Sequence, residues 1–320
     1  MKSFRNALLG SLLLLAGAVR AKEDEEVDDG ERLIAMRTHV LYPPYVDQEL
    51  QSNRWDFGAD AIINTNKHVR LTQDRRSEMG WLWSRLPIKA ENYEIEVEFN
   101  VNGKGHSLFG DGFAMWLTTD RAKPGPVFGS IDNFNGLGLF FDTYPNSRHT
   151  YSFPRATAML GDGKTPYDHD HDNQANELAA CSMDFRRRDT RTMLKLRYIK
   201  SKSLSLQLQV EKEGRWDDCF EAQNVELPAG DIYLGFSALT GDVSDAHDII
   251  SVSTNSIVFN STLPVGAESQ LYKSKKSRKS SSTGLSMFLF LLKAIGVLAF
   301  CAFAFSAYRT YNAQKRGKRF

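Results

Sequence analysis

Excess charge of either sign is missing from this chain: 40 lysines and arginines face 39 aspartates and glutamates. A balance this close offers no electrostatic footprint for a nucleic acid, so no nucleic-acid partner is expected. Long amphipathic helices are missing between residues 33 and 262, which argues against a helical domain. Heptads are missing from residues 263–284, which argues against a coiled-coil oligomerisation rod. The most polar loops carry neither a cysteine nor a nucleophilic serine. Their chemistry therefore points to binding rather than bond breaking, and the protein is not expected to be an enzyme.

What is present is a set of oxygen-bearing residues spread through a β-patterned region: Gly110-Asp111-Gly112, Phe141-Asp142-Thr143-Tyr144-Pro145-Asn146, Tyr167-Asp168-His169-Asp170-His171-Asp172 and Gly241-Asp242. Carboxylates and amides at loop-like spacing suit a hard cation such as Ca2+, which takes six to eight oxygens. Neither metal-type loop has the glycine and terminal glutamate of an EF-hand. Taken singly, each reads as ordinary Asp/Asn turn chemistry; together, between strands, they point to a metal. Asp111 between two glycines gives a ligand room to approach. Gly241-Asp242 offers an N–H beside a carboxylate, and His169 is a possible partner for a hydroxyl.

The ends of the chain predict where such a site works. Residues 1–21 read as a cleaved secretory signal: Lys2 and Arg5, an apolar run of about 12 residues that is too short to span a bilayer, then Val19-Arg20-Ala21 with small residues at the processing positions. Residues 22–32 are acidic and read as disordered. Residues 285–307 are apolar apart from Lys293 and a few small residues, about long enough to cross a membrane. Lys293 costs about 2.5–3.5 kcal/mol there on insertion scales. Basic residues flank this span on both sides, so charge alone does not orient it. The signal does: the large domain is translocated and residues 308–320 stay cytosolic. Cys301 lies within the span. Cys181 and Cys219 lie in the translocated, oxidising part and are paired on that ground. Asn260-Ser261-Thr262 is a glycosylation sequon.

Between the ends the pattern is β. Tyr93, Ile95, Val97, Phe99 and Val101 alternate with Glu94, Glu96, Glu98 and Asn100, as in a half-buried strand. Leu194, Leu196 and Tyr198 alternate with Lys195 and Arg197. A turn at Lys200–Ser203 then leads to Leu204, Leu206, Leu208 and Val210, which reads as a hairpin. Phe113–Leu117, Leu137–Phe141 and Ile232–Ala238 are apolar throughout, as central strands covered on both faces are. Residues 33–262 are expected to form one β-sandwich, and the Ser/Lys-rich residues 263–284 a flexible stalk.

These motifs, with Trp55-Asp56-Phe57-Gly58, Val69-Arg70-Leu71-Thr72, Pro124-Gly125-Pro126-Val127-Phe128-Gly129, Glu177-Leu178-Ala179-Ala180-Cys181 and Gly241-Asp242-Val243-Ser244-Asp245, resemble the L-type (leguminous-type) lectins of the early secretory pathway. That family comprises vesicular integral-membrane lectins and ER–Golgi intermediate-compartment cargo receptors. The resemblance covers nearly all of residues 33–262 and implies an all-β, concanavalin-like jelly-roll sandwich that binds high-mannose glycans with Ca2+. It puts the metal ligands at Asp142, the Tyr144 carbonyl, Asn146 and Asp172. The choice of Asp172 over Asp168 and Asp170 rests on its spacing to His169. The resemblance puts the mannose contacts at Ser77, Asp111, Asn146, His169, Gly241, Asp242 and Val243, and it also supports the Cys181–Cys219 pair. It implies a single-pass type I membrane protein of the ER, the intermediate compartment or the Golgi that sorts high-mannose glycoproteins. Arg316 and Lys318 resemble a coat-binding retrieval signal, and Phe320 a terminal aromatic export signal, so vesicle coat proteins are expected partners. The short stalk is closer to the vesicular integral-membrane branch.

Two other classes compete. Concanavalin-like folds also host glycosidases, and Glu94 with Glu98 on one strand face superficially resembles a carboxylate pair. The other class is a membrane scaffold that keeps the fold without binding sugar. Finally, His169 and His171 beside the metal loop predict Ca2+ affinity that falls toward pH 6.

Overall fold

The computed structural model describes residues 30–259. The signal sequence, Asn260, the stalk, the expected span at 285–307, Cys301 and the tail residues Arg316, Lys318 and Phe320 lie outside the described residues. Among those described, no helix is long and apolar enough to cross a membrane.

Strands, numbered in chain order, form two antiparallel sheets. The first sheet runs β13 (Asp217–Gln223), β12 (Ser203–Gln209), β11 (Thr192–Ile199), β6 (Tyr93–Asn102), β15 (Ala246–Phe259), β4 (His68–Thr72) and β3 (Ile62–Asn64), with β1 (Glu31–Ala35) also paired to β15. The second runs β10 (Ala179–Ser182), β9 (Arg155–Asp162), β8 (Asn135–Asp142), β7 (Gly112–Thr118), β14 (Tyr233–Leu239), β5 (Met79–Ser84) and β2 (Trp55–Ala59). The only helices among the described residues are three-residue 3-10 turns.

The two sequence periods explain the layers. β6 alternates, so Ile95, Val97 and Phe99 face the core while Glu96, Glu98 and Asn100 are half-exposed. β7 is buried throughout, and its period-2 faces enter two different apolar clusters. Phe113, Met115 and Leu117 pack between the sheets with Phe99, Phe141 and Leu194. Ala114 and Trp116 point outward, where residues from loops, Phe128, Phe134 and Tyr167, cover them together with Trp83 and Phe140. Each such large side chain contributes about 1.5–3 kcal/mol by leaving water. The second cluster therefore does more than fill space: it pins two long loops onto the outer face of the second sheet.

The chain departs from its sequence reading at the first boundary. Glu31 and Arg32, assigned by composition to the acidic segment, belong to β1 and pair with Phe259 and Val258 of β15. Backbone pairing to a long strand, helped by an ion pair between Glu31 and Arg197, overrides the polar composition there. Cys181 and Cys219 form a disulfide. It joins β10, an edge of the second sheet, to β13, an edge of the first.

Candidate carbohydrate and cation site

One end of the sandwich gathers four loops. Asp111 enters β7, Asp142 leaves β8, residues 163–178 link β9 to β10, and Gly241–Asp245 link β14 to β15. Gly110 and Gly112 allow the first loop to lie where it does. A Cβ on Gly112 would stand 2.3 Å from the Phe141 carbonyl, at φ +144°, and one on Gly110 would stand 2.8 Å from Tyr144 Cβ. The Asp111 carbonyl then accepts from Thr143 N and Oγ1 at 3.0 and 3.1 Å, which ties the first loop to the second.

A cavity of about 130 Å3 lies between them. Asp111, Asp142, Tyr144, Asn146 and His169 supply its polar lining. Sequence reasoning missed the opposite wall, formed by Pro126, Phe128, Tyr167 and Leu239. Phe128 and Tyr167 are held there by edge-on and stacked contacts with Phe140, at centroid distances of 4.8 Å for Tyr167 and 5.4 Å for Phe128. A pocket with hydrogen-bonding groups on one side and an apolar wall on the other matches the two kinds of surface of a sugar ring. The wall was invisible in the sequence because the same residues are what a core requires.

The remaining predicted sugar residues stand on the Asp111 rim. Ser77 N donates to the Gly241 carbonyl at 3.3 Å. The Gly241 backbone N–H donates to the Asp111 carboxylate. A Cβ on Gly241 would come within 3.3 Å of Asp111 Oδ2, a tight approach that glycine relieves. Val243 lies against Gly110. Beyond it, Ser244 Oγ donates to Asp74 at 2.8 Å, and the buried Asp245 is gripped by Arg186 at 2.6 and 2.7 Å. The loop bearing Asp242 is thus fixed from behind. Burial, with a contribution from Asp242, pushes the Asp111 carboxyl up to about 6.

The cation question turns on Asp142 and Asp172, both buried. Burial drives the Asp142 carboxyl well above its usual range, and Asp172 and Asp111 push it the same way. Its one hydrogen bond is from Tyr144 N at 2.9 Å. Among the described residues neither carboxylate meets a lysine or arginine. Two buried carboxylates without a cation are costly, so this donor set fits a hard dication. No three His, Cys, Asp or Glu side chains among the described residues make a cage by themselves. The Tyr144 carbonyl and the Asn146 amide would have to complete it. Once bound, the ion would neutralise the acidic pair and draw the 142–146 loop together.

The three competing aspartates separate by environment. Asp168 caps the 3-10 turn His169–His171 and engages the His171 ring at 2.9 Å. Asp170 is exposed. Asp172, in left-handed backbone at φ 50°, turns inward and accepts from Asn146 N at 3.0 Å and Asn146 Nδ2 at 2.7 Å. A second missed residue is His149, whose Nε2 lies 2.5 Å from Asp172 Oδ2. Its only sequence signal was a histidine three positions after Asn146.

Glu94, Glu96 and Glu98 are elsewhere. They lie on the outer face of the first sheet, near Arg197 and Lys195 on β11 and Arg191 just before it, at 3.7, 2.9 and 2.8 Å. Cross-strand ion pairing accounts for all three.

The sequence profile of the legume-like lectin family matches residues 34–262. The chain belongs to that family. Human vesicular integral-membrane protein VIP36 is 38% identical over 97% of this chain and 90% of its own length. An L-type lectin-like domain-containing protein of Schizosaccharomyces pombe is 36% identical over 87% of this chain and 88% of its own. Among solved structures, the exoplasmic/lumenal domain of VIP36 in its Ca2+/Man3GlcNAc-bound form superposes with a TM-score of 0.64 at 42% identity, covering 69% of this chain and 91% of that one. Its Ca2+/Man2-bound form gives 0.66 at 40% identity, covering 73% and 93%. The two-sheet sandwich is therefore the family's legume-lectin-like fold, and these relatives are lectins rather than enzymes.

Proposed function

We propose that this protein is a Ca2+-dependent lectin for high-mannose N-glycans and acts as a sorting receptor for glycoproteins between the ER and the Golgi. The observation that carries the reading is the convergence of Asp111, Asn146 and His169 on one small cavity beside the buried Asp142–Asp172 pair. The carboxylate of Asp111 accepts from vicinal hydroxyls, Asn146 links cation to sugar, and His169 closes the far side. Ser77 and Gly241–Val243 shape the rim. Asp142, Asp172, the Tyr144 carbonyl and Asn146 hold the ion. The related VIP36 domain has been solved with Ca2+ and with mannose-containing ligands, which supports the same assignment here.

The rest of the proposal concerns the chain's ends. Residues 1–21 direct it into the secretory pathway, residues 285–307 anchor it, Asn260 carries a glycan, and Arg316, Lys318 and Phe320 engage vesicle coats from the cytosol.

A glycan array probed with the full-length protein tests the lectin reading. Binding to high-mannose structures in millimolar Ca2+, abolished by chelator, is the expected outcome. Absence of binding to every high-mannose glycan would favour a scaffold instead. Release of free sugar, lost on Glu94→Gln, would favour a glycosidase.

A further inference from the structure

We propose that His149 is a positioning residue for the cation site: its imidazole N–H holds the Asp172 carboxylate in the orientation in which it meets the ion. The inference rests on the reading of Asp172 as a Ca2+ ligand and adds a residue that this reading does not require.

The geometry is specific. His149 Nε2 lies 2.5 Å from Asp172 Oδ2 and 2.9 Å from Ser147 Oγ. The two side chains are 3% and 2% exposed. An ionised carboxylate only accepts, so Nε2 carries the hydrogen. The ring is itself held, stacked on Tyr151 with centroids 4.5 Å apart and planes 13° apart. Tyr151 lies under the Arg155 guanidinium at 3.7 Å, and Arg155 pairs with Glu177 at 2.8 Å. A column thus runs from Asp172 through His149, Tyr151 and Arg155 to Glu177.

The choice of side chain matters. Asp172 already receives Asn146 N and Nδ2, so it is the hub that folds residues 146–149 against the 168–172 turn. The imidazole Nε2–H adds one more directed donor and fixes the carboxylate rotamer. A lysine or arginine at the same place would also fix it, but would neutralise it and repel a cation. Donors to a metal-ligating group that orient it in this way raise metal affinity, and their loss costs about 10–100-fold.

Ca2+ affinity is measured calorimetrically on the full-length protein and three variants. His149→Phe keeps a ring on Tyr151 but removes the donor; His149→Gln restores an amide N–H without the ring. The expected result is a loss of about tenfold or more for the phenylalanine variant and recovery of most of it by glutamine. A second readout is metal-free: the His149 ring resonances should report a hydrogen on Nε2 bonded to Asp172. Wild-type Ca2+ affinity in His149→Phe would overturn the inference. So would a glutamine variant as weak as the phenylalanine one, because restoring the donor would then fail to restore affinity. Asp172→Ala is the control for the underlying site. If it leaves Ca2+ binding intact, the metal-site reading itself fails; if it abolishes binding while His149→Phe does not weaken it, only the present inference fails.

Discussion

Replacing Asp111 with asparagine separates what the site does to the fold from what it does for a ligand. The Asp111 carboxyl sits at about 6 against an ordinary 3.8, chiefly because it is buried. That displacement is about two units, and at about 1.4 kcal/mol per unit it amounts to roughly 3 kcal/mol. The carboxyl is not fully enclosed, so solvent screening brings this to about 2 kcal/mol. The sign follows from the direction of the shift. A carboxyl raised in the folded state favours folding while protonated, below pH 4, and loses that advantage as pH rises through 6. In the metal-free protein Asp111→Asn escapes the loss, because the amide stays neutral and its Oδ1 still accepts from the Gly241 backbone. The variant should therefore match the wild type near pH 4 and exceed it by about 2 kcal/mol at pH 7.5. For a domain of this size that is a rise in melting temperature of about 4–8 °C. The assay is thermal unfolding in chelator at both pH values, alongside mannose binding in Ca2+, which the variant should lack. A stability gap that is equal at the two pH values, or absent at pH 7.5, would refute the reasoning.

Other outcomes can be checked on the same protein. Asp142→Ala should abolish Ca2+ binding by calorimetry while the metal-free fold survives by circular dichroism, since the variant removes a buried carboxylate that burial already disfavours. Asn146→Ala should lose mannose binding on a glycan array and cost about 1–3 kcal/mol in thermal unfolding, because it removes the Nδ2 donor to the buried Asp172 carboxylate. Removing the Cys181–Cys219 bridge, which closes a loop with a sequence separation of 38, should cost roughly 3–4 kcal/mol in denaturant unfolding. Glu96→Gln on the outer face of the first sheet should cost at most about 1 kcal/mol, as exposed ion pairs do, and leave glycan binding unchanged. Ca2+ affinity should be several-fold lower at pH 6 than at pH 7.4, because protons compete with the ion for the raised carboxyl of Asp142.

The sequence made the regular parts of this fold legible and hid those that depend on long-range contacts. β6 and the β11–β12 hairpin were readable because one face of each is wet, and the alternation records that. β7 and β8 were readable as unbroken apolar runs. β15 was not, because its start at Ala246-His247-Asp248 looks like a polar loop. In the fold His247 is buried with its Nδ1 2.7 Å from Thr72 Oγ1, and Asp248 is buried against Arg70 at 2.7 Å. Partners more than 170 residues away make those polar groups tolerable. The site followed the same rule. Its acidic residues stand out because aspartate in a strand-rich region needs a reason. Phe128, Tyr167 and His149 gave no such signal, since an aromatic residue or a lone histidine is explained equally well by packing.

The placement of β14 and β15 bears on the order in which the chain is made. These are the last two strands among the described residues, yet neither lies at an edge: β14 sits between β7 and β5, and β15 between β6 and β4. A nascent chain that ends before Tyr233 therefore leaves a gap through the middle of both sheets, with β7, β5, β6 and β4 each exposing an unpaired backbone edge. Neither layer can close early and wait for the other. The loop Gly241–Asp245, proposed above to shape the sugar site, connects these same two strands, so folding and the completion of that rim become one event. During synthesis the incomplete protein is a body of open strand edges, vulnerable to wrong pairing. A premature stop anywhere before β15 should leave no partial lectin, only a client for chaperones.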